Sequence, residues 1–268
     1  MIKSDFHVHT EFSGDCSIKL EKQIESAINC GLEYICITDH CDLNLYSRKE
    51  WALDIANYTN EINNIKEKYK NKIRVLLGIE MGLVSELKEQ INTIIKNYDF
   101  DFVIGSQHAV DGMDICYNMD KYFKDKTDKK AYRQYFKAIL ENVKIFDNYD
   151  VYGHLDYVVR YGQNKNKYFN LNDYKDLIEE LLKIIIKNGK GIEINTAGVR
   201  KGLGYPHPHK DILNMYKDLG GEIITIGSDA HFCEHIGYNF QDVPDLLKSV
   251  GFKYYTVFEN RMPKFLKF

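Results

Sequence analysis

Two histidines stand one residue apart in the first predicted strand, within the sequence SDFHVHT. Residues two apart on a strand project from the same face, so His7 and His9 point one way while Phe6 and Val8 point the other. Two imidazole rings are costly to bury without polar partners. Either water reaches this face of the strand, or another group binds the two rings there.

Other side chains that can bind metal ions follow the later predicted strands. Glu80 ends the strand LLGIE, and Asp229 stands two residues before His231 in GSDAH. If the strand conformation continues through GSDAH, this second pair repeats the geometry of the first. The complete set of such residues is His7, His9, Asp15, His40, Glu80, His108, His154, Asp229 and His231.

Each of these residues has an ordinary structural explanation when it is taken alone. A histidine such as His154 at a strand end is more often hydrogen-bonded or half-exposed than bound to a metal. Asp15 could close an Asx turn beside Gly14, and Asp229 could cap a helix. The joint arrangement is harder to explain in this way, because ligand-type residues recur at the same end of different strands. Neutral imidazoles and ionised carboxylates that converge are the ligand set of a divalent metal ion.

The elements that must position these residues alternate between short β-rich runs and amphipathic helical runs. The predicted strands lie in residues 2–10, 32–40, 73–82, 100–108, 149–159, 190–198 and 222–231. The helices that follow them lie in residues 20–31, 54–71, 85–97, 132–146, 176–189, 210–221 and 242–252. Gly31 is predicted to close the first helix, and KYYTVF (253–258) is a possible closing strand.

This alternation predicts an α/β fold with a parallel sheet and helices outside it. A doubly wound open sheet also fits, but no glycine-rich phosphate loop follows any strand, which favours a closed barrel. In a closed parallel barrel the carboxyl ends of all strands meet at one rim, so the candidate ligands would meet there too. No linker divides the 268 residues, and we predict a single domain over residues 1–268.

Composition narrows the possible partners. The net charge of −3 gives no electrostatic case for a nucleic-acid or anionic-membrane partner, and no apolar run approaches the roughly 20 residues of a membrane span. The six cysteines form no C-x-x-C pair, and the chain does not start with the apolar run of a signal peptide. We therefore expect a reduced, cytoplasmic protein with a small-molecule partner.

Six short motifs carry a family resemblance: HVHT, ITDH, GIE, GSQH, GHLD and GSDAH. In these motifs and in their order the chain resembles the polymerase-and-histidinol-phosphatase (PHP) superfamily. The longer stretches GHLDYVVRYG, EINTAGVRKGLGYPHP and GGEIITIGSDAH, with GFKYYTVFENRMP near the end, are similar to its monofunctional histidinol-phosphatase branch. The resemblance implies the PHP fold, a distorted TIM-like (β/α)7 barrel.

The resemblance also implies up to three divalent metal ions, which could be Zn, Mn or Fe. By the same resemblance, the first ion is held by His7, His9, Glu80 and Asp229. Glu80 bridges to a second ion, which is also held by His108 and His154. The third ion is held by Asp15, His40 and His231. Many relatives have histidine at the position of Asp15, and the harder oxygen donor here leaves the identity of the metal open.

The implied reaction is the hydrolysis of L-histidinol phosphate to L-histidinol and phosphate, in histidine biosynthesis. Metal ions neutralise phosphate oxygens and lower the pKa of a bound water toward ~7, so hydroxide would attack phosphorus in line. Glu80, Asp229 and His231 are the predicted catalytic residues, and Asp229 or a neighbouring histidine could protonate the leaving alcohol. No Ser or Cys nucleophile motif is evident, so no phosphoenzyme is expected.

Residues that could contact the substrate lie in the loops after the strands. A guanidinium group donates two parallel hydrogen bonds that match a phosphate, although each cation here could equally be a solvated surface residue. The candidates are Arg160, Arg200, Lys201, His209, Asp42 and Tyr117, and the resemblance implies a substrate contact for Arg160 and one later basic residue. The irregular region 109–130 is predicted to be a lid over the strand ends.

Two other functions compete with this prediction. One is a PHP phosphoesterase that acts on nucleotides, oligonucleotides or another small phosphate ester. The other is a noncatalytic, metal-stabilised PHP module. A degenerate ligand set would indicate the noncatalytic module, but a competent residue fills every expected ligand position.

Overall fold

Seven short parallel strands form the centre of the structure. The computed structural model describes residues 1–45 and 51–268. In chain order the strands are β1 (Ser4–Val8), β2 (Tyr34–Ile37), β3 (His40–Cys41), β4 (Arg74–Gly82), β5 (Phe102–Ser106), β6 (Ala109–Val110), β7 (Met113–Asp114), β8 (Val151–Tyr152), β9 (Gly191–Asn195), β10 (Ile224–Gly227), β11 (Tyr255–Glu259) and β12 (Met262–Leu266). The central sheet has the order β1-β2-β4-β5-β8-β9-β10, and β3 pairs with the end of β4. Its strands are buried on both faces, as a parallel sheet covered by helices requires.

The sheet closes into a barrel through a narrow seam between β10 and β1. The seam holds one parallel bridge, between Val8 and Ala230, in which the His9 N–H donates to the Ala230 carbonyl at 2.9 Å. The buried Asp5 carboxylate also spans it, accepting from the Ser228 N–H at 2.9 Å and the Ser228 hydroxyl at 2.5 Å. Burial raises the pKa of Asp5 to about 6, although these hydrogen bonds oppose the shift. The predicted (β/α)7 barrel is confirmed, and the bridge between Val8 and Ala230 closes it.

Helices pack around the barrel by their apolar faces. They are α1 (Leu20–Asn29), α2 (Ile55–Tyr69), α3 (Lys88–Asn97), α4 (Met119–Tyr122), α5 (Asp128–Ile145), α6 (Lys175–Lys187), α7 (Ala197–Arg200), α8 (Lys210–Asp218) and α9 (Val243–Val250). Gly31 follows the end of α1 with φ of +71°, the left-handed conformation expected of a closing glycine. The helix predicted to begin at residue 132 begins at Asp128, because the Thr127 side chain accepts a hydrogen bond from Lys130 N–H and caps it. None of the described helices is both long enough and apolar enough to cross a membrane.

Two predicted elements differ in the structure. The possible closing strand KYYTVF is a strand, β11, but it does not join the barrel: β11 pairs with β12 in an antiparallel hairpin. Asn260 and Arg261 connect these strands, and both have positive φ, the conformation of a tight two-residue turn that sends the chain back along β11. The strand predicted over 149–159 keeps only the two residues of β8, because the chain turns at His154 and continues as a 3₁₀ turn, Tyr157–Tyr161.

The irregular region 109–130 has structure of its own. It contains the β6–β7 hairpin, the short helix α4 and the first turn of α5. Asp114, Cys116 and Tyr117 from this region line the cavity above the barrel rim. The region therefore covers part of the strand ends, as the predicted lid would.

The Tyr58 side chain connects α2 to the barrel and generates a stability prediction. It is fully buried, and its hydroxyl lies 2.9 Å from the Ile37 carbonyl oxygen and 2.8 Å from the Gly78 carbonyl oxygen. We expect Tyr58→Phe to lower the free energy of unfolding by about 1–3 kcal/mol, because buried carbonyls lose their donor. Urea denaturation measures this, with the exposed Tyr254→Phe as a control that should change stability by less than about 0.5 kcal/mol. Equal effects in the two variants would contradict the prediction.

Candidate metal centre

A single buried carboxylate, that of Glu80 near the end of β4, stands at the centre of the barrel rim. Its Oε2 lies 3.2 Å from Nε2 of His7 and 3.6 Å from Nε2 of His9, both on or just after β1. Nε2 of His9 also lies 3.5 Å from Oδ1 of Asp229, which follows β10. These four side chains, which the sequence assigns to the first ion, meet from three strands.

The other oxygen of Glu80 faces a second group of ligands. Oε1 of Glu80 lies 2.9 Å from Nε2 of His154 and 3.1 Å from Nε2 of His108, which follow β8 and β5. The Ser106 hydroxyl donates to the same oxygen at 2.7 Å. Oε2 also lies 2.9 Å from Nδ1 of His40. Because the two oxygens of this one carboxylate face different sets of imidazoles, Glu80 has the geometry of a bridging ligand.

A third group lies nearer to solvent. Oδ2 of Asp15 lies 3.2 Å from Nε2 of His231 and 3.6 Å from Nε2 of His40. The imidazole ring of His9 stacks between these two histidines, with ring centroids 4.3 Å from His40 and 4.1 Å from His231. All nine predicted ligand residues therefore lie in one contiguous cluster.

The donor atoms fit divalent metal ions. Two ligand atoms at about 2.1 Å from one tetrahedral ion lie about 3.4 Å apart, which is close to the nitrogen–oxygen separations of the first and third groups. Several of the atoms are buried and have no hydrogen-bond partner among the described residues: Nε2 of His7, Nε2 of His9, Nδ1 of His40 and Oε2 of Glu80. Buried polar atoms without partners are rare in folded proteins, so these atoms are consistent with an ion as their partner.

Charge–charge interactions inside the cluster shift the pKa values of its members. Burial would raise the pKa of Glu80, but the neighbouring His7, His108 and His40 hold it well below its usual range. Burial lowers the pKa of His9 to about 3, with help from the nearby His231 and His40. Glu80 is therefore ionised and His9 is neutral at pH 7. The nearby carboxylates raise the pKa values of His7, His40 and His108, and these rings must lose a proton when they bind a metal ion.

The backbone that positions Asp229 is not a strand, contrary to one sequence-based expectation. β10 ends at Gly227, and Asp229 has φ of +55°. The left-handed residue turns the chain, so Asp229 and His231 do not repeat the alternation of His7 and His9. Gly227 allows β10 to approach β1 closely, because a Cβ atom on Gly227 would lie 2.4 Å from Cβ of His7.

Three carboxylates behind the ligands form hydrogen bonds that orient the imidazole rings. Oδ1 of Asp42 lies 2.9 Å from Nδ1 of His108. Nδ1 of His9 lies 3.1 Å from the Ser13 hydroxyl, which donates to Asp39 at 2.6 Å. The third carboxylate, Glu193, lies 2.6 Å from Nδ1 of His7. Such partners fix which ring nitrogen is free to bind metal.

The sequence patterns do not predict roles for Ser13, Asp39 or Glu193. A carboxylate in an otherwise apolar strand, as in KGIEIN, is the one feature that could have pointed to Glu193. The structure also revises Asp42, which was expected to contact substrate. Its side chain borders the cavity, but the residue is 2% exposed and both of its oxygens face histidines, Nδ1 of His108 at 2.9 Å and Nδ1 of His40 at 3.4 Å.

A cavity of about 260 Å³ opens above the cluster. The Arg160 guanidinium lies in its wall, 4.0 Å from the Tyr157 ring centroid and 5.1 Å from that of Tyr161. Its Nε and Nη1 atoms are buried without hydrogen-bond partners among the described residues, and Nη1 lies 3.6 Å from Oδ2 of Asp229. Lys201 also lines the cavity, and burial lowers its pKa. This wall therefore presents positive charge toward the metal ligands.

Two predicted substrate contacts have other structural roles. Nη2 of Arg200 donates to the carbonyl oxygens of Ser228 at 2.8 Å and Asp229 at 3.1 Å, so Arg200 fixes the turned backbone of Asp229 while lining the cavity. His209 is a correction: its Nδ1 accepts a hydrogen bond from the Asp211 N–H as the N-cap of α8, and it does not line the cavity. His235, which was expected at the surface, is half-buried and lines the cavity.

Comparison with known proteins defines the class. The model of the PHP domain family matches residues 5–197, and the chain belongs to this family. The histidinol-phosphatase of Lactococcus lactis subsp. lactis is 33% identical over 260 residues, which cover 97% of this chain and 96% of that protein. A probable histidinol-phosphatase of Clostridium acetobutylicum is 35% identical over 264 residues, covering 97% and 98% of the two chains.

A solved structure also matches. It is the crystal structure of histidinol phosphate phosphatase from Lactococcus lactis subsp. lactis, complexed with zinc, L-histidinol and phosphate. The match has a TM-score of 0.88 at 32% sequence identity and covers 98% of each chain. The match extends over the whole barrel and its loops.

The central position of Glu80 generates a prediction on metal content. We expect Glu80→Gln to lose roughly two of the bound metal equivalents per chain, because an amide lacks the charge and the second ligand oxygen that bridge two ions. Elemental analysis after dialysis measures this. The exposed Glu89→Gln is the matched control and should keep the wild-type metal content. Full retention of metal in Glu80→Gln would refute the bridging position.

Proposed function

We propose that this protein is a histidinol-phosphatase that hydrolyses L-histidinol phosphate to L-histidinol and phosphate. The observation that carries the proposal is that two features share one cavity. One is a cluster of nine potential metal ligands, whose donor atoms form several overlapping groups that could each hold an ion, and the other is the positively charged wall that faces this cluster. Relatives that are histidinol-phosphatases over nearly the whole chain support the choice of substrate. Residues 1–268 would form a single metallophosphatase domain that works in the cytoplasm.

The ligand sets follow the three groups of side chains. The first ion would be held by His7, His9, Glu80 and Asp229. The second would be held by Glu80, His108 and His154, and the third by Asp15, His40 and His231. Zinc is supported by the solved relative, and the mixed nitrogen and oxygen donors also suit manganese or iron. Divalent ions bound there would neutralise phosphate oxygens and activate a water molecule for attack on phosphorus.

The cationic wall would bind the phosphate group. Arg160 supplies Nε and Nη1, which lack partners and stand beside Asp229, so a phosphate oxygen on the ligand cluster would come within reach of them. Lys201 adds a second cation from the loop after β9. Arg200 would act mainly through the backbone carbonyl of Asp229, which it holds in place.

The leaving alcohol needs a proton, and two neighbouring groups could deliver it. Nδ1 of His231 lies 3.4 Å from Oδ1 of Asp229, and both residues line the cavity. His231 is half-buried, so it can exchange protons with solvent, whereas Asp229 is buried. Asp229 and His231 would therefore act together as the proton-transfer pair, and Glu80 would hold the reacting groups through the ions.

The organic part of the substrate would lie against aromatic side chains at the cavity mouth. Trp51 and Tyr117 pack edge to face with ring centroids 5.5 Å apart, and Phe232, which is 50% exposed, lines the same cavity. Aromatic side chains at the mouth of a cavity suit a small imidazole-bearing ester. Tyr117 is accordingly proposed as a substrate contact.

A substrate panel tests the proposed function. We expect the zinc-loaded protein to show its highest kcat/KM on L-histidinol phosphate, above a nucleoside 3′,5′-bisphosphate and a short oligonucleotide. His154→Ala is the control for contaminating phosphatases, because loss of a ligand should lower turnover by orders of magnitude on every substrate. A higher kcat/KM on either nucleotide substrate would overturn the proposal in favour of a different PHP phosphoesterase.

The position of Arg160 predicts a defect in phosphate binding. We expect Arg160→Lys to lower kcat/KM on L-histidinol phosphate by roughly 10- to 100-fold, because a hydrogen bond to a charged group contributes about 1.5–3 kcal/mol. Steady-state kinetics measures this. Arg133→Lys is the matched control, since Arg133 is exposed and pairs with Asp176. An unchanged kcat/KM in Arg160→Lys would remove Arg160 from the phosphate site.

A further inference from the structure

Glu193 lies inside the barrel, beneath the metal ligands. It stands in the middle of β9 and is 1% exposed. Its two carboxylate oxygens contact different parts of the centre. Oε1 lies 2.6 Å from Nδ1 of His7, and Oε2 accepts from the His154 backbone N–H at 2.9 Å and from the Asn195 side-chain amide at 3.2 Å.

The neighbouring strand β10 leaves room for this carboxylate. A Cβ atom on Gly227 would lie 2.3 Å from Oε1 of Glu193 and 2.4 Å from Cβ of His7, so the missing side chain makes room for both residues. Gly227 has no positive φ, so conformational freedom does not explain this glycine. The missing side chain at Gly227 is therefore consistent with a requirement for the Glu193 carboxylate inside the barrel.

The contact with His7 determines which ring nitrogen carries the proton. The carboxylate accepts from Nδ1 and so keeps a proton on that nitrogen, which leaves Nε2 as the ring nitrogen that can bind an ion. Nε2 is the atom that faces Oε2 of Glu80 at 3.2 Å and has no hydrogen-bond partner. The Asn195 amide nitrogen also lies 3.4 Å from Nδ1, which would suit the opposite tautomer, but the shorter contact with a charged acceptor is the stronger one.

The contact with His154 stabilises an unusual backbone. His154 has φ of +20°, a conformation that side-chain-bearing residues rarely adopt. Its N–H donates to Glu193, and this bond holds the turn that aims Nε2 of His154 at Oε1 of Glu80. One carboxylate thus contacts a ligand of the first group and a ligand of the second.

We propose that Glu193 is a positioning residue for both the first and the second metal ion, setting the tautomer of His7 and holding the backbone of His154. The proposal rests on the metal centre of the proposed function and is independent of the substrate. Glu193→Gln is a sharp test, because an amide has one acceptor oxygen where the carboxylate uses two. The variant can serve His7 or His154, but it leaves the other donor facing an NH₂ group.

Zinc affinity is the first measurement. Competition with a chromophoric chelator, without substrate, should show that Glu193→Gln binds zinc 10- to 100-fold more weakly at the two sites that Glu80 joins. Asp156→Asn is the matched control. Asp156 and His207 form another fully buried carboxylate–imidazole pair, at 2.5 Å, and neither residue lines the cavity. Wild-type zinc affinity in Glu193→Gln would overturn the proposal. An equal loss of zinc affinity in Asp156→Asn would overturn it too, because the loss would then be a general effect of disturbing the core.

The tautomer of His7 is the second measurement, and it does not depend on the variant folding. Two-dimensional ¹H–¹⁵N spectra of the chelator-treated wild-type protein report which ring nitrogen is protonated, with the His7 signals assigned by their loss in His7→Asn. We expect a proton on Nδ1, and a ring that carries its proton on Nε2 alone would overturn the proposal. If wild-type protein fails to hydrolyse L-histidinol phosphate while Glu193→Gln still loses zinc affinity, the proposed substrate fails and the role of Glu193 stands.

Discussion

The burial of one negative charge among imidazoles governs the centre of this protein. Glu80 is fully buried at the barrel rim, with ring nitrogens of five histidines within 3.6 Å of its oxygens. A buried carboxylate is tolerated only when partners compensate its negative charge. Imidazoles do this well only when they are protonated or when they bind the same cation as the carboxylate. The cluster therefore favours bound metal, and the surrounding glycines, turns and carboxylates keep its donors in place.

The barrel satisfies this constraint by bringing the ends of separate strands to one rim. A single strand could not supply so many donors to one site, because adjacent side chains of a strand point to opposite faces. Parallel strands solve the problem because six of the seven place one or two candidate ligands at or just after their carboxyl ends, and the loops add Asp15 and the cationic residues. A chain that can change its loops without changing these strand ends can keep the chemistry while altering its substrate.

The strands and the convergence of the candidate ligands could be predicted because both depend on short-range patterns. Apolar runs followed by His, Glu or Asp recur at most of the strand ends, and the alternation with helices implies that these ends meet. Features that depend on tertiary contacts could not be predicted: the left-handed turn at Asp229, the carbonyl contacts of Arg200 and the N-cap role of His209. Glu193 was missed for the same reason, since nothing local indicates that a glutamate in β9 reaches His7 on β1.

The seam between β10 and β1 gives the metal centre a mechanical role. His9 follows β1 on one side of the seam, and Asp229 follows β10 on the other side. Nε2 of His9 and Oδ1 of Asp229 lie 3.5 Å apart, and one backbone bridge joins the two sides among the described residues. An ion bound by both residues would link β1 and β10, the first and last strands of the barrel. Loss of the ion would then weaken the barrel at this seam, and the backbone amides that flank the seam would exchange with solvent before those of the other strands.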